Sequence, residues 1–149
     1  VYADLPREVA AELAAGVARA RAQGIAEACL CLDPGFGFAK VGLQNFELLR
    51  GLEAVLALGR PVLVGASRKS FVGQVISASW QTPPEAVAPP FRPPAERLAG
   101  SLAFAAAAVW RGAHVLRVHD VAETCDAVRV ALHCMARDAG AGRAGRPGM

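Results

Sequence analysis

At 149 residues the chain holds one domain's worth of sequence at most. It is 54% hydrophobic and 19% charged, which allows a globular core and excludes a disordered or fibrous class. The formal charge of +3 is mild, and the 16 basic residues form no cluster with interleaved aromatics, so no nucleic-acid partner is expected. No signal peptide is recognised, and no apolar run reaches the ~18 residues of a membrane span, so no membrane partner is expected either.

The residues from Pro6 to about Gln23 predict an Ala-rich helix with Val9, Leu13 and Val17 on one face, Pro6 in its first turn and Gly24 as its stop. A strand is expected over about Ala28 to Leu32, followed by a loop to Gln44. Asn45 is expected to cap the next helix, where Phe46, Leu49, Leu52 and Leu56 mark an apolar stripe ending at Gly59. The second strand spans Pro61 to about Ala66. Residues 81–94 hold six of the ten prolines, which forbids a helix or a central strand and predicts a mobile surface loop. A helix then runs from near Pro94 and Ala95 to about Arg111, apolar throughout from Leu102 to Trp110, and Gly112 closes it. The third strand is about His114 to Val118 and the last helix about Thr124 to Ala136. The Gly/Arg-rich tail, residues 139–149, is predicted to be disordered and residues 1–138 to be the folded domain.

Strands alternating with helices imply an α/β fold with parallel strands and right-handed crossovers. A complete (β/α)8 barrel needs roughly 250 residues, and three strands cannot close one. The chain opens at Val1 directly into helix. The expected fold is therefore the C-terminal portion of a TIM (β/α)8 barrel, about three βα units, with the earlier units absent. Its open sheet edge should make the isolated chain prone to associate.

The four cysteines, Cys29, Cys31, Cys125 and Cys134, show no structural-zinc spacing. They are expected to be buried, reduced thiols of a cytosolic protein.

Each apolar run ends in polar chemistry. Residues 28–32 lead into Asp33-Pro34-Gly35-Phe36-Gly37-Phe38, residues 62–64 into Gly65-Ala66-Ser67-Arg68-Lys69-Ser70-Phe71, and residues 113–116 into Arg117-Val118-His119-Asp120. In α/β folds ligands bind at the carboxyl ends of such strands. Asp33 fits ordinary turn chemistry, but an ionised carboxylate there can also accept two N–H groups of a heterocycle. Lys69 follows a buried strand, an unusual place for a merely solvated lysine. Arg117 and His119 lie two apart, so both point to one face of the strand with Val115. A guanidinium fork beside an imidazole donor is suited to phosphate oxygens. Arg68 is expected to pair with an acidic residue, and Asp120 to cap a helix or orient His119. His114 and His133 have no such context.

The three blocks DPGFGFAK, GASRKSF and RVHD, in this order and at βα-unit spacing, resemble dihydropteroate synthase over roughly Val1 to Met135. The family's usual first block has Ile where this chain has Phe36, and often Gly where it has Ala39. The resemblance implies condensation of 6-hydroxymethyl-7,8-dihydropterin pyrophosphate with p-aminobenzoate, giving 7,8-dihydropteroate and pyrophosphate. It implies that Asp33 and Lys69 hold the pterin, that Ser70 lines the aminobenzoate site, and that Gly65 and Val118 line the pocket. Phe36 and Phe38 either offer a wall to the second substrate's ring, with Phe38 counted among the substrate-binding residues, or merely cover the barrel rim. Arg117 and His119 would hold the leaving pyrophosphate, with Lys69, Arg117 and His119 as the catalytic set. It also implies Mg2+, bound mainly outside this segment and by the pyrophosphate, so no metal ligand is assigned here. A homodimer in the cytoplasm is expected for the complete protein. Three other readings remain: a pterin-binding methyltransferase, which should lack the Arg-Lys pair of the second block; a non-catalytic half-barrel for binding or dimerisation; and a degenerate copy without function.

Overall fold

Asp4 opens the first helix. Its carboxylate accepts the Arg7 N–H at 3.4 Å, and Glu8 Oε1 in return accepts the N–H groups of Ala3 and Asp4 at 2.6 and 2.9 Å. These exchanges satisfy donors that a helix start leaves unpaired. They hold the Glu8 carboxyl below its ordinary value, the Asp4 N–H contributing most. In the computed structural model, which describes residues 2–79 and 81–135, helix α1 accordingly spans Leu5–Ala22 and stops before Gly24.

The first expected strand is reduced to one bridge. Glu27–Cys29 form a 3-10 turn, and Leu32 alone pairs in parallel with Val62. Strand β1, Leu63–Val64, pairs in parallel with β2, Val115–Leu116, with Leu63 opposite Val115 and Val64 opposite Leu116. The order is thus Leu32 segment, β1, β2, with β1 in the centre. Among the described residues neither outer member has a second neighbour. A strand bonded on one side only leaves half of its backbone groups outside the ladder; all three members, the central β1 included, are shorter than the apolar runs suggested. Val115, on the open edge, is 42% exposed. The expectation of buried thiols fails: Cys29 and Cys31 belong to the edge segment before Leu32, Cys125 and Cys134 to the last helix, and all four are exposed.

The helix expected from Asn45 onward is two: α2, Gln44–Arg50, and α3, Glu53–Leu56. The break falls at Gly51, against which Pro6 of α1 packs so closely that a Cβ there would lie 2.5 Å from its ring. Asn45 does not cap α2. It lies inside the helix, fully buried. Helix α4 is Ser70–Ser77 and α5 is Leu98–Trp110. Helix α6, Val121–Met135, begins three residues earlier than the sequence suggested, because the Asp120 carbonyl accepts both the N–H (3.0 Å) and the hydroxyl (2.6 Å) of Thr124. The proline-rich segment lies on the surface and forms one-turn 3-10 helices at Pro84–Ala86 and Pro94–Glu96. Helix α4 holds it: Gln74 Nε2 donates to the Pro84 carbonyl at 2.9 Å, and the Arg92 N–H donates to Ser77 Oγ at 3.0 Å. The expected disordered tail, residues 139–149, lies outside the described residues.

The core gathers Leu5 and Val9 of α1, Leu48 of α2, Leu52 of the turn that follows it, Val55 of α3, and Val62 and Val64 of the sheet. At its centre four phenylalanines meet edge to face. Phe104 of α5 lies 5.5 Å from Phe36, 5.6 Å from Phe46 and 5.3 Å from Phe71, and Phe46 lies 5.5 Å from Phe71. Each such pair is worth about 0.5–1.5 kcal/mol beyond area burial. Phe36 is therefore a core anchor with no exposed surface, not a wall for a ligand. Because Phe36 belongs to the first polar block and Phe71 to the second, this cluster ties the two loops to one another.

Candidate functional site

The polar blocks converge where the chain leaves the three sheet positions. A cavity of about 480 Å³ is lined by Gly65, Ser67, Arg68, Lys69, Arg117, Val118 and His119, with Pro94 at its rim. The second and third blocks meet here because β1 and β2 are adjacent and parallel, so their carboxyl ends emerge side by side.

Arg68 is the one non-glycine residue with a positive φ among the described residues, at 58°. Such a conformation costs an ordinary side chain on the order of 1–2 kcal/mol, and the surroundings hold it from three sides. Its N–H donates to Ser101 Oγ at 2.9 Å, and its carbonyl accepts from Arg97 Nη1 at 2.8 Å. Its guanidinium grips Asp120 with both forks, Nε to Oδ2 at 2.9 Å and Nη2 to Oδ1. The expectation that Arg68 pairs with an acid holds, and the partner is Asp120 of the third block. The pairing raises the Arg68 pKa and lowers that of Asp120, in each case chiefly through the hydrogen bond between them. Asp120 therefore does not orient His119. Its carboxylate staples the second loop to the third.

The backbone turn at Arg68 aims the next side chain, Lys69, toward the first loop. Lys69 Nζ donates to the Phe36 carbonyl and lies 3.9 Å above the Phe38 ring. Phe38 is 76% exposed and so presents its other face to solvent. Gly37, at φ +71°, passes so close that a Cβ there would collide with the Lys69 stem. Burial lowers the Lys69 pKa; nearby Asp33 opposes the shift, while Arg117 and Lys40 add to it. Asp33 itself is exposed and accepts the Gly35 N–H at 2.8 Å on Oδ1, an Asx turn that leaves Oδ2 for a ligand. Turn chemistry and ligand chemistry are thus compatible in one carboxylate.

Sequence reasoning missed Asn45 as the organiser of this loop. Its Oδ1 accepts the Gly37 N–H at 2.6 Å, and its Nδ2 donates to the carbonyls of Lys40 (3.1 Å) and Gly42 (3.0 Å). A polar residue inside an apolar stripe was the available signal. Lys40 Nζ closes the loop on the Pro34 carbonyl at 2.8 Å. Ser70 is exposed at the start of α4 and, with Phe38, Lys40, Gln74 and Phe91, lines a second cavity of about 340 Å³. The structure therefore splits the assigned residues: Lys69, Arg117, His119, Gly65 and Val118 share one cavity, while Phe38 and Ser70 line its neighbour. Lys69, reaching over Phe38, lies between them. His114 is structural, its Nδ1 accepting the Val62 N–H at 3.2 Å, and His133 Nδ1 bonds within α6 to the Arg129 carbonyl.

Arg68, Lys69 and Arg117 give the cavity a cationic lining that suits an anion, while Asp33 is not among its lining residues. Among the described residues no group of three His, Cys, Asp or Glu gathers as a metal site, and none of the described helices is long and apolar enough to cross a membrane.

Residues 1–119 match the family model described as pterin binding enzyme. Over 129 residues the chain is 43% identical to dihydropteroate synthase of Escherichia coli strain K12, covering 87% of this chain and 41% of that protein. It is 42% identical to the Mycobacterium leprae enzyme of the same name, covering 87% and 43%. Among solved structures, dihydropteroate synthase from Xanthomonas albilineans in complex with 7,8-dihydropteroate superposes with a TM-score of 0.78 at 38% identity, covering 91% of this chain and 47% of that one. The same enzyme with 4-aminobenzoic acid gives the same TM-score, with 91% and 45% covered. The chain spans less than half the length of these relatives. Its fold is accordingly part of the α/β barrel that those structures share.

Proposed function

The chain belongs to the pterin-binding enzyme family, and on that premise we propose that it supplies the leaving-group and pterin-holding part of a dihydropteroate synthase. The observation that carries this reading is the convergence of Lys69, Arg117 and His119 in one cavity. In the proposed reaction the bond between the pterin methylene carbon and the pyrophosphate oxygen breaks, and its electron pair leaves with pyrophosphate. The amine of p-aminobenzoate attacks the resulting resonance-stabilised cation at the methylene carbon and then loses a proton to water. Arg117 and His119 stabilise the charge that develops on the leaving group. Lys69 and the free oxygen of Asp33 hold the pterin's polar edge. Ser70 and Phe38 face the aminobenzoate from the neighbouring cavity, and Lys69 between the two cavities brings the reactants together.

The donor set does not fit a Mg2+ ion held by this segment. Its charged groups are mostly cations, and hard oxygen ligands are what the ion takes. No step is assigned to a metal here, and any Mg2+ is left to the pyrophosphate and to βα units beyond this segment. We further propose a cytoplasmic homodimer for the complete protein. Four exposed, unbridged thiols suit a reducing compartment, and sedimentation of the complete protein tests the dimer.

Calorimetry tests the central reading. Pyrophosphate should bind the chain, more weakly as salt rises. Arg117→Lys should weaken pyrophosphate and the pterin ester but spare the pterin alcohol, since an ammonium cannot reproduce the guanidinium fork. No pyrophosphate binding, or equal losses for alcohol and ester, would overturn the assignment.

A further inference from the structure

We infer that Ser67 is a positioning residue for His119, fixing which ring nitrogen meets the anion. The inference rests on the proposed leaving-group role of His119. Both hydrogen bonds that Ser67 Oγ makes among the described residues go to that histidine: 3.3 Å to its backbone N and 3.0 Å to Nδ1. A backbone N–H can only donate, so Oγ accepts it. The hydroxyl then keeps one proton and one further lone pair.

Those two remaining capacities serve the two states of the ring. For the neutral imidazole we assign the Ser67 O–H as donor to Nδ1, the arrangement that leaves the ring proton on Nε2. When the ring is protonated, Nδ1–H donates to Oγ and the hydroxyl hydrogen turns away. In both states Nε2–H is a donor turned from Ser67, and His119 and Ser67 both line the cavity. A carboxylate in this place would bond only to the Nδ1–H form and would add negative charge beside an anion site. The nearby carboxylate, Asp120, is held by Arg68.

Ser67 is itself held in place. It precedes Arg68, whose backbone N–H and carbonyl are tied to Ser101 and Arg97. The αL turn at Arg68, the Asp120 staple and the Ser67–His119 bonds thus form one assembly joining the second loop to the third.

The test combines a tautomer measurement with a double-mutant cycle on the full chain, with inorganic pyrophosphate as the probe. Ring 15N shifts of neutral His119 should show Nε2–H in the wild type and a mixture of tautomers in Ser67→Ala. Pyrophosphate affinity should fall about 3- to 10-fold in Ser67→Ala, the range of one lost hydrogen bond, and Ser67→Thr should recover it. In a His119→Ala background, Ser67→Ala should cost nothing more. A Ser67 loss that persists there would make Ser67 a direct anion ligand and overturn the inference. So would unchanged 15N shifts and affinity in Ser67→Ala. Failure of the wild type to bind pyrophosphate would instead remove the proposed function on which the inference rests.

Discussion

Replacing Asn45 by Ala removes three hydrogen bonds at once, those to Gly37 N–H and to the carbonyls of Lys40 and Gly42. Each contributes about 0.5–1.5 kcal/mol net, and more where the stranded partner stays dry. The three partners are half-buried, so water reaches them in part, and the expected loss is about 2–4 kcal/mol. At roughly 3–4 °C per kcal/mol for a domain of this size, Tm should fall by about 6–16 °C. Asn45→Asp is the sharper variant. It keeps the acceptor for Gly37 but turns both donors into a carboxylate facing two carbonyls, so it should be at least as harmful despite its near-identical shape. Because the loop carries Asp33, Phe38 and the Phe36 carbonyl that Lys69 holds, pterin binding should weaken even where the variant remains folded. Denaturant unfolding of the full chain gives the first quantity, and calorimetry with a pterin alcohol the second. A loss under 1 kcal/mol in both variants, with binding intact, would show that the loop is held by its glycines and prolines rather than by Asn45.

Gly37→Ala should be destabilising by about 1–2 kcal/mol from its positive φ alone. It should also displace Lys69, whose stem the new Cβ would strike, so pterin affinity should fall by more than stability explains. Lys69 has its pKa lowered, mainly by burial, which sets the sign of two pH effects. Between its folded and unfolded pKa values the unfolded chain binds more protons, so stability rises with pH across that window. Ligand affinity that depends on the ammonium falls over the same range, earlier than for an ordinary lysine. Lys69→Arg should flatten both profiles, and an unchanged alkaline limb in that variant would place the titration elsewhere.

The polar blocks were legible from composition and spacing alone. An apolar run followed by SRKS or by Arg-x-His needs no tertiary information to mark the end of a strand, but β2 ends at Leu116, so Arg117 and His119 lie beyond it and share their cavity with Val118 rather than being sorted onto one strand face. The alternation of runs and helical stripes likewise implied parallel strands. What the sequence could not decide was who bonds to whom across the chain. Asp120 follows His119 directly, which favoured that neighbour on paper. The adjacency of β1 and β2 instead brings Arg68 against Asp120 and Ser67 against His119, 52 residues apart in each case. Phe36 looked like a rim residue because its block is a turn, yet the turn folds inward onto Phe104. Asn45 looked like a cap because caps are local, and its partners turned out to lie in the loop behind it. Local propensity and periodicity are short-range properties and were readable from neighbours alone. Burial, strand length and the partner of each charge depend on which segments meet, and only the folded chain settles that.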